Sequence, residues 1–230
     1  MRIDKLLASS GYGSRKDVKK LIKDKKVYVN DVLVTKEDVK VDEVHDCIMV
    51  EQQRVIFQKY IYLMMNKPSG YLCANEDTEA TVFDLIKEPY KNIFTVGRLD
   101  KDTEGLLLIS NDGQFAHNLM SPKKNIDKTY YVEVKNILKD EDIELLKSGS
   151  IRLDHEGIKE AKVDKIDDYH IYLTIQEGKY HQVKRMIKNC NNEVVYLKRV
   201  RIKDLQLDPN LSLGEYRSLK EEELKKLKDD

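Results

Sequence analysis

Apolar positions along this chain follow two different rhythms. Near the start, Ile3, Leu6 and Leu7, then Val18, Leu21 and Ile22, keep the i, i+3, i+4 spacing of short helices. Gly11 and Gly13 separate the two, and Ser14 stands where the second needs its N-cap. Val27-Tyr28-Val29, the turn Asn30-Asp31 and Val32-Leu33-Val34 predict a hairpin. From Ile61 onward short strand-like segments take over: Ile61–Met65, Ile93–Val96, Leu106–Ile109, the alternation Tyr130, Val132, Val134, and the alternation Ile171, Leu173, Ile175. Helices are predicted between them. Thr81 caps one with Val82, Leu85 and Ile86 inward, and Asp112 caps another with Phe115 and Leu119 inward, stopped by Pro122. Val183, Met186, Ile187 and Cys190 form the inner stripe of a third, and Ser218-Leu219-Lys220-Glu221 reads as a capping box for a terminal helix carrying Leu224 and Leu227. Asn66-Lys67-Pro68-Ser69-Gly70 reads as a turn.

The change of rhythm predicts two folded units, residues 1–57 and 61–230, joined at 57–60. The 230 residues, 40% hydrophobic and 36% charged, suffice for one good core and a small extra module. No apolar run reaches membrane-spanning length and the chain starts Met1-Arg2-Ile3-Asp4, so a cytoplasmic location without membrane contact is expected. Cys47, Cys73 and Cys190 are widely spaced and the five histidines show no ligand spacing; reduced thiols and no metal are expected.

Charge sharpens the picture. The formal net charge is zero, but residues 1–26 hold nine basic and three acidic side chains, a local +6 that leaves −6 for the rest. Residues 179–203 hold eight basic groups against Glu193 alone, and Lys184, Arg185 and Lys188 lie opposite the apolar helix stripe. Two positive surfaces on a neutral chain suggest a polyanionic partner, although lysine runs also simply solvate helices.

One stretch carries candidate chemistry. Between the predicted strands ending at Val96 and beginning at Leu106 lies Gly97-Arg98-Leu99-Asp100-Lys101-Asp102-Thr103-Glu104-Gly105, a glycine-bounded cluster of charge that must emerge at a sheet edge or cleft. On composition and turn chemistry alone, a solvated turn is the favoured account.

Two resemblances bear on that choice. Arg2-Ile3-Asp4-Lys5-Leu6-Leu7, Ser14-Arg15-Lys16 and Val27-Tyr28-Val29-Asn30 resemble the S4-like RNA-binding module. Four ordered segments of the remainder resemble the pseudouridine synthases of the RsuA-like branch: Asn66-Lys67-Pro68-Ser69-Gly70-Tyr71, Gly97-Arg98-Leu99-Asp100 with Thr103–Leu107, Lys128-Thr129-Tyr130, and Glu177–Met186. Gly214-Glu215-Tyr216-Arg217 also looks like this branch. The resemblance implies an α+β fold: a small αα-β module followed by a mixed, largely antiparallel sheet with flanking helices and a cleft across it. Periodicity alone allows other α+β topologies.

It further implies an enzyme that isomerises uridine to pseudouridine in ribosomal RNA, most directly small-subunit RNA or a subunit assembly intermediate, working as a monomer. A large-subunit target stays open, as does a ribosome-associated RNA binder without activity; a glycosidase pairing Asp100 with Glu104 is disfavoured. No electrons are transferred, so no cofactor is expected. By motif match Asp100 is the catalytic carboxylate, by either a nucleophilic or a proton-abstracting route. Lys184, or else its neighbour Arg185, pairs with it, Tyr130 stacks on the target base, and Arg98 enters the RNA beside the extruded nucleotide. Asp102 and Glu104 are left to the turn. Arg2, Arg15, Lys16, Lys19, Lys67, His181, Gln182 and Arg185 are the expected RNA contacts, Lys67 as a positioning group.

Overall fold

The computed structural model describes residues 1–43, 45–55, 57 and 60–228. The chain divides into two compact units, Met1–Lys59 and Tyr60–Asp230. Of the predicted connection at 57–60, Gln58 and Lys59 lie outside the described residues.

In the first unit, α1 (Ile3–Ser9) and α2 (Arg15–Lys23) precede a four-stranded sheet of β1 (Val27–Val29), β2 (Val32–Leu33), β3 (Ile48–Val50) and β4 (Gln53–Arg54), in the order β2-β1-β3-β4. Ser14 caps α2 reciprocally: Asp17 N–H reaches the Ser14 hydroxyl at 3.4 Å, and the Ser14 N–H donates to the Asp17 carboxylate at 2.8 Å. Asn30 and Asp31 both take positive φ, as a tight primed hairpin turn requires. Ile3, Leu6, Leu7, Val18 and Ile22 pack with Val27, Ile48 and Val50 in one core.

The second unit contains β5 (Tyr62–Lys67), β6 (Phe94–Val96), β7 (Glu104–Ser110), α3 (Gly113–Met120), β8 (Lys128–Val134), α4 (Asp140–Lys147), β9 (Arg152–Leu153), β10 (Glu156–Gly157), β11 (Lys162–Lys165), β12 (His170–Ile175), α5 (Gln182–Asn189), β13 (Val194–Ile202), β14 (Leu205–Gln206), β15 (Tyr216–Ser218) and α6 (Glu221–Lys228). Its main sheet runs β11-β12-β8-β13-β7-β5-β15, with β6 beside β7 and β14 beside β13. Among the described residues its pairings are antiparallel except for β13 with β7, which run parallel where Lys198 and Arg199 meet Glu104 and Gly105. This is the mixed, largely antiparallel sheet that the resemblance implied.

The unbroken apolar run Leu106–Ile109 is explained by burial on both faces. Leu107 and Ile109 pack in the core that holds Tyr130, Val132, Leu173 and the α5 residues Val183, Met186 and Ile187. Leu106 and Leu108 pack on the opposite face with Phe115 and Leu119 of α3 and Leu227 of α6. Each such leucine contributes about 2 kcal/mol by leaving water.

Several local expectations need correction. Asn66 and Lys67 are not in a turn; they complete β5, and both are buried. Glu104 likewise opens β7 rather than belonging to the turn, and it shares the face of Leu106 and Leu108. Ser218 is the last residue of β15, so it does not cap α6; the carboxylate of Glu223 instead accepts from the Lys220 N–H at 2.8 Å. The helix behind Thr81 is a single 3-10 turn, Val82–Leu85.

Candidate active site

The segment from Gly97 to Thr103 links β6 to β7, and three ties shape it. Leu99 is buried as its anchor, with its N–H 3.4 Å from the Cys73 sulfur. The Thr103 N–H donates to the Asp100 carbonyl at 3.1 Å, closing a tight turn. The Gly70 N–H donates to the Lys101 carbonyl at 2.8 Å, joining it to the turn after β5.

Lys67 underlies all of this. Its side chain has no exposure, and Nζ lies 3.0–3.1 Å from the carbonyl oxygens of Pro68, Asp100 and Lys101 and 2.9 Å from that of Thr103. Burial pushes its pKa below the ordinary lysine value, while the surrounding Cys73, Asp102, Glu104 and Asp100 oppose that shift. A cation ringed by carbonyls fixes the backbone of a loop and cannot touch RNA. The expectation that Lys67 is an RNA contact is therefore corrected, though its positioning character stands in this other form.

So held, the Asp100 carboxylate is about a quarter exposed and faces α5. Lys184 Nζ stands 3.3 Å from Asp100 Oδ2 and 2.5 Å from Asp102 Oδ1, so one ammonium serves both carboxylates. Burial alone would raise the Asp102 carboxyl, but the hydrogen bond and charge of Lys184 outweigh it and hold Asp102 below the usual carboxylate range. His181, in the left-handed conformation at the start of α5, places Nε2 3.6 Å from Asp100 Oδ1. Arg185 turns away; its guanidinium meets Asp154 at 2.7 Å. The geometry thus brings Lys184, and not Arg185, to Asp100.

Asp100 opens into a cavity of about 510 Å³ whose walls include Tyr130, Ile175, Leu197 and Val183. Tyr130 is on the same face of β8 as Val132 and is buried. A pocket with one ion-paired carboxylate at its rim and an aromatic and aliphatic lining suits a planar, uncharged ring close to a reactive bond. Arg98 is exposed at its edge and makes no ion pair among the described residues. Glu104 is engaged elsewhere, its Oε2 accepting from the Tyr196 hydroxyl at 2.6 Å, so a two-carboxylate hydrolase site with Asp100 is not formed. Gln182 is also a correction: it is buried, with Oε1 accepting from the Lys179 N–H at 3.0 Å and Nε2 donating toward Glu177, which leaves it a structural brace rather than an RNA contact.

In the first unit the basic side chains divide by occupation. Arg2 clamps the buried Asp4 with two bonds of 3.0 and 3.1 Å, and Lys19 pairs with Glu37 at 2.7 Å. Among the described residues Arg15 and Lys16 have no carboxylate partner, which leaves them available to a polyanion.

Residues 61–189 match the RNA pseudouridylate synthase family, and residues 1–46 match the S4 domain. The chain belongs to the RNA pseudouridylate synthases. It is 49% identical to an uncharacterized RNA pseudouridine synthase of Bacillus subtilis (strain 168), covering 97% of each chain. It is 36% identical to the ribosomal small subunit pseudouridine synthase A of Haemophilus influenzae, covering 99% of each, and 39% identical to the ribosomal large subunit pseudouridine synthase B of Bacillus subtilis, covering 99% of this chain and 95% of that one. A crystal structure of a pseudouridylate synthase covers 99% of both chains at 36% identity, with a TM-score of 0.71. Members of this family are isomerases that convert uridine to pseudouridine in RNA, and RNA is the partner that its two matched regions share.

Three residues that carry no assigned role in the sequence lie at or beside the site. Asp102, left to the turn, is the nearer partner of Lys184. Tyr180 is exposed at the cavity mouth with its ring stacked on His181, centroids 3.8 Å apart. Arg199, counted with the basic surface, is buried; its alternation with Leu197 on β13 was the available signal.

Proposed function

We propose that this synthase isomerises a uridine in ribosomal RNA of the small subunit, with Asp100 as the catalytic carboxylate. The observation that carries this reading is the Asp100 carboxylate held 3.3 Å from Lys184 at the mouth of a cavity with Tyr130 on its wall. The reaction breaks the bond from the sugar C1′ to N1 of the base and forms one to C5; C5 loses a proton and N1 gains one, so no redox partner is needed. The target nucleotide first leaves its stack, at a cost of a few kcal/mol. Arg98 at the cavity edge then occupies the gap, and Tyr130 supports the base. Lys184 pairs with the Asp100 carboxylate and keeps it aligned in a site that substrate closes to water. The nucleophilic and proton-abstracting routes both use that carboxylate.

Residues 61–230 form the catalytic domain in this reading and residues 1–57 supply RNA affinity through Arg15 and Lys16, with Lys19 and Arg2 beside them. His181 and Arg185 flank the entering strand. The near full-length similarity to the Haemophilus influenzae enzyme supports the small-subunit target; the comparable similarity to the large-subunit enzyme of Bacillus subtilis favours a second reading in which the target lies there. We further propose a cytoplasmic monomer, a location that follows from the ribosomal RNA substrate in this reading; no helix among the described residues is long and apolar enough to cross a membrane.

The test uses both rRNAs transcribed with tritium at uridine C5. Wild type should release tritium from small-subunit RNA, while Asp100→Asn releases none and still binds. Near wild-type release by Asp100→Asn would overturn the catalytic assignment, and release confined to large-subunit RNA would select the second reading.

A further inference from the structure

On the core face of β8 the apolar series Val134, Val132, Tyr130 ends in a charge, Lys128, which is 6% exposed. Opposite Tyr130 in the antiparallel register of β13 stands Arg199, which is 1% exposed. Two cations thus lie buried on one face of the sheet, and neither meets a carboxylate among the described residues. Lys128 Nζ donates to the Ile126 carbonyl at 3.1 Å, and Arg199 Nε donates to the Leu106 carbonyl at 2.8 Å. Arg199 Nη2 is buried without a hydrogen-bond partner. Glu177, the acidic residue on the walls of their cavity, is occupied by the Lys159 N–H and Gln182.

Both cations line a cavity of about 410 Å³ that shares Arg98, Tyr130, Gly178 and Lys179 with the Asp100 cavity. Buried charge that the protein itself leaves unneutralised is costly, and a free guanidinium edge in a cavity matches the geometry of a phosphate oxygen. Burial and the charge of Arg199 depress Lys128 to about 8, as an unpaired cation pair should behave.

We propose that Lys128 and Arg199 form an anion subsite that takes the RNA phosphodiester adjacent to the uridine held beside Asp100. This deepens the functional reading and rests on it for the identity of the neighbouring nucleotide. The subsite anchors the backbone on the far side of Tyr130, so that the extruded sugar is fixed from both ends, by its phosphate here and by its base on the tyrosine.

The experiment measures affinity of wild type and Lys128→Met for the shortest rRNA fragment that wild type modifies, or for the one it binds best if it modifies none, across a range of salt. Loss of one phosphate contact should reduce the slope of log affinity against log salt by about 0.7. In a second arm, whose wild-type penalty no folding defect can produce, uncharged methylphosphonate linkages replace single phosphates of the RNA. Wild type should lose about tenfold in affinity or more at one linkage next to the target uridine, and Lys128→Met should lose little there. An unchanged slope, or equal penalties for both proteins at every linkage, overturns the subsite. A reduced slope in a wild-type background that makes no pseudouridine would sink the functional reading and leave the subsite; pseudouridine formed with an unchanged slope does the reverse.

Discussion

The ammonium of Lys67, fully buried at the end of β5, lies 3.1 Å from the backbone carbonyl of Asp100. Lys67 thus holds Asp100 through its main chain and leaves the carboxylate to face Lys184. Replacing Lys67 by Met keeps the length and removes the donors; the Pro68 and Thr103 carbonyls lose this partner, while those of Asp100 and Lys101 keep the N–H groups of Thr103 and Gly70. A loss of about 2–4 kcal/mol in urea unfolding is expected, with a fall in kcat larger than any rise in KM. Wild-type stability in Lys67→Met would refute the clamp.

Lys184 is shared by Asp100 and Asp102, and the two carboxylates should respond differently to its loss. Lys184→Met leaves the partly buried Asp100 unpaired and should lower single-turnover rate by about 10²–10³-fold. Lys184→Arg should recover part of that rate. Asp102→Asn, altering a side chain that is mostly exposed, should cost no more than about tenfold. If Asp102→Asn were as damaging as Asp100→Asn, the division of roles between them would be wrong.

Gly105 and Gly97 bound the same loop under different constraints. A Cβ at Gly105 would stand 2.3 Å from the Arg199 carbonyl where β7 and β13 run parallel, at a φ of +100°. At Gly97 (φ +74°) it would meet the end of the flexible Met120 side chain. Gly105→Ala should therefore cost about 3 kcal/mol or more and Gly97→Ala about 1–2 kcal/mol, read from chemical denaturation. Equal costs would mean that the strand contact is softer than drawn here.

In the first unit, Arg15→Gln combined with Lys16→Gln should weaken RNA binding and reduce the salt slope by about 1.4, one contact of about 0.7 for each charge removed. Turnover at saturating RNA should stay near wild type. A slope unaltered by both changes would show that α2 does not meet the RNA backbone.

Much of this arrangement was legible in the sequence where one physical cause dominated. The stripe Val183, Met186, Ile187, the cap at Ser14, and the hairpin at Asn30-Asp31 follow from local periodicity and turn chemistry, and the structure repeats them. Lys67 and Arg199 were misread because a basic residue near glycine and proline, or in a basic stretch, defaults to the surface. Their burial depends on strand pairings with residues distant in the chain, β5 with β7, where Lys67 meets Gly105, and β13 with β7, where Arg199 meets Gly105. Glu104 was misplaced for a similar reason: the chain enters β7 one residue before its glycine, because β13 pairs there. Asp100 could be named only through its resemblance, since nothing in the spacing separates it from Asp102; the clamp on its carbonyl and the cavity beside it are tertiary facts.

Lys128 offers a pH signature. Its pKa falls from 10.5 to about 8 in the folded protein, through burial first and the charge of Arg199 second, against the weaker opposing pull of Asp127. The other charged groups around its cavity are Arg98, Lys179 and Glu177. A base with a depressed folded pKa leaves the unfolded chain binding more protons between the two values, so its contribution to stability rises with pH from about 8 to about 10.5 and is least favourable below 8. The window corresponds to about 3 kcal/mol. Lys128→Met removes the penalty, so the variant should be more stable than wild type at pH 7 and the difference should shrink as pH approaches 10. Urea unfolding of both proteins at pH 7, 9 and 10 checks this, the shared background cancelling the tyrosines that titrate nearby. A variant that is stabilised but binds RNA worse identifies a residue kept for its ligand, whereas a stability difference that is flat with pH would mean that Lys128 is not the group that titrates.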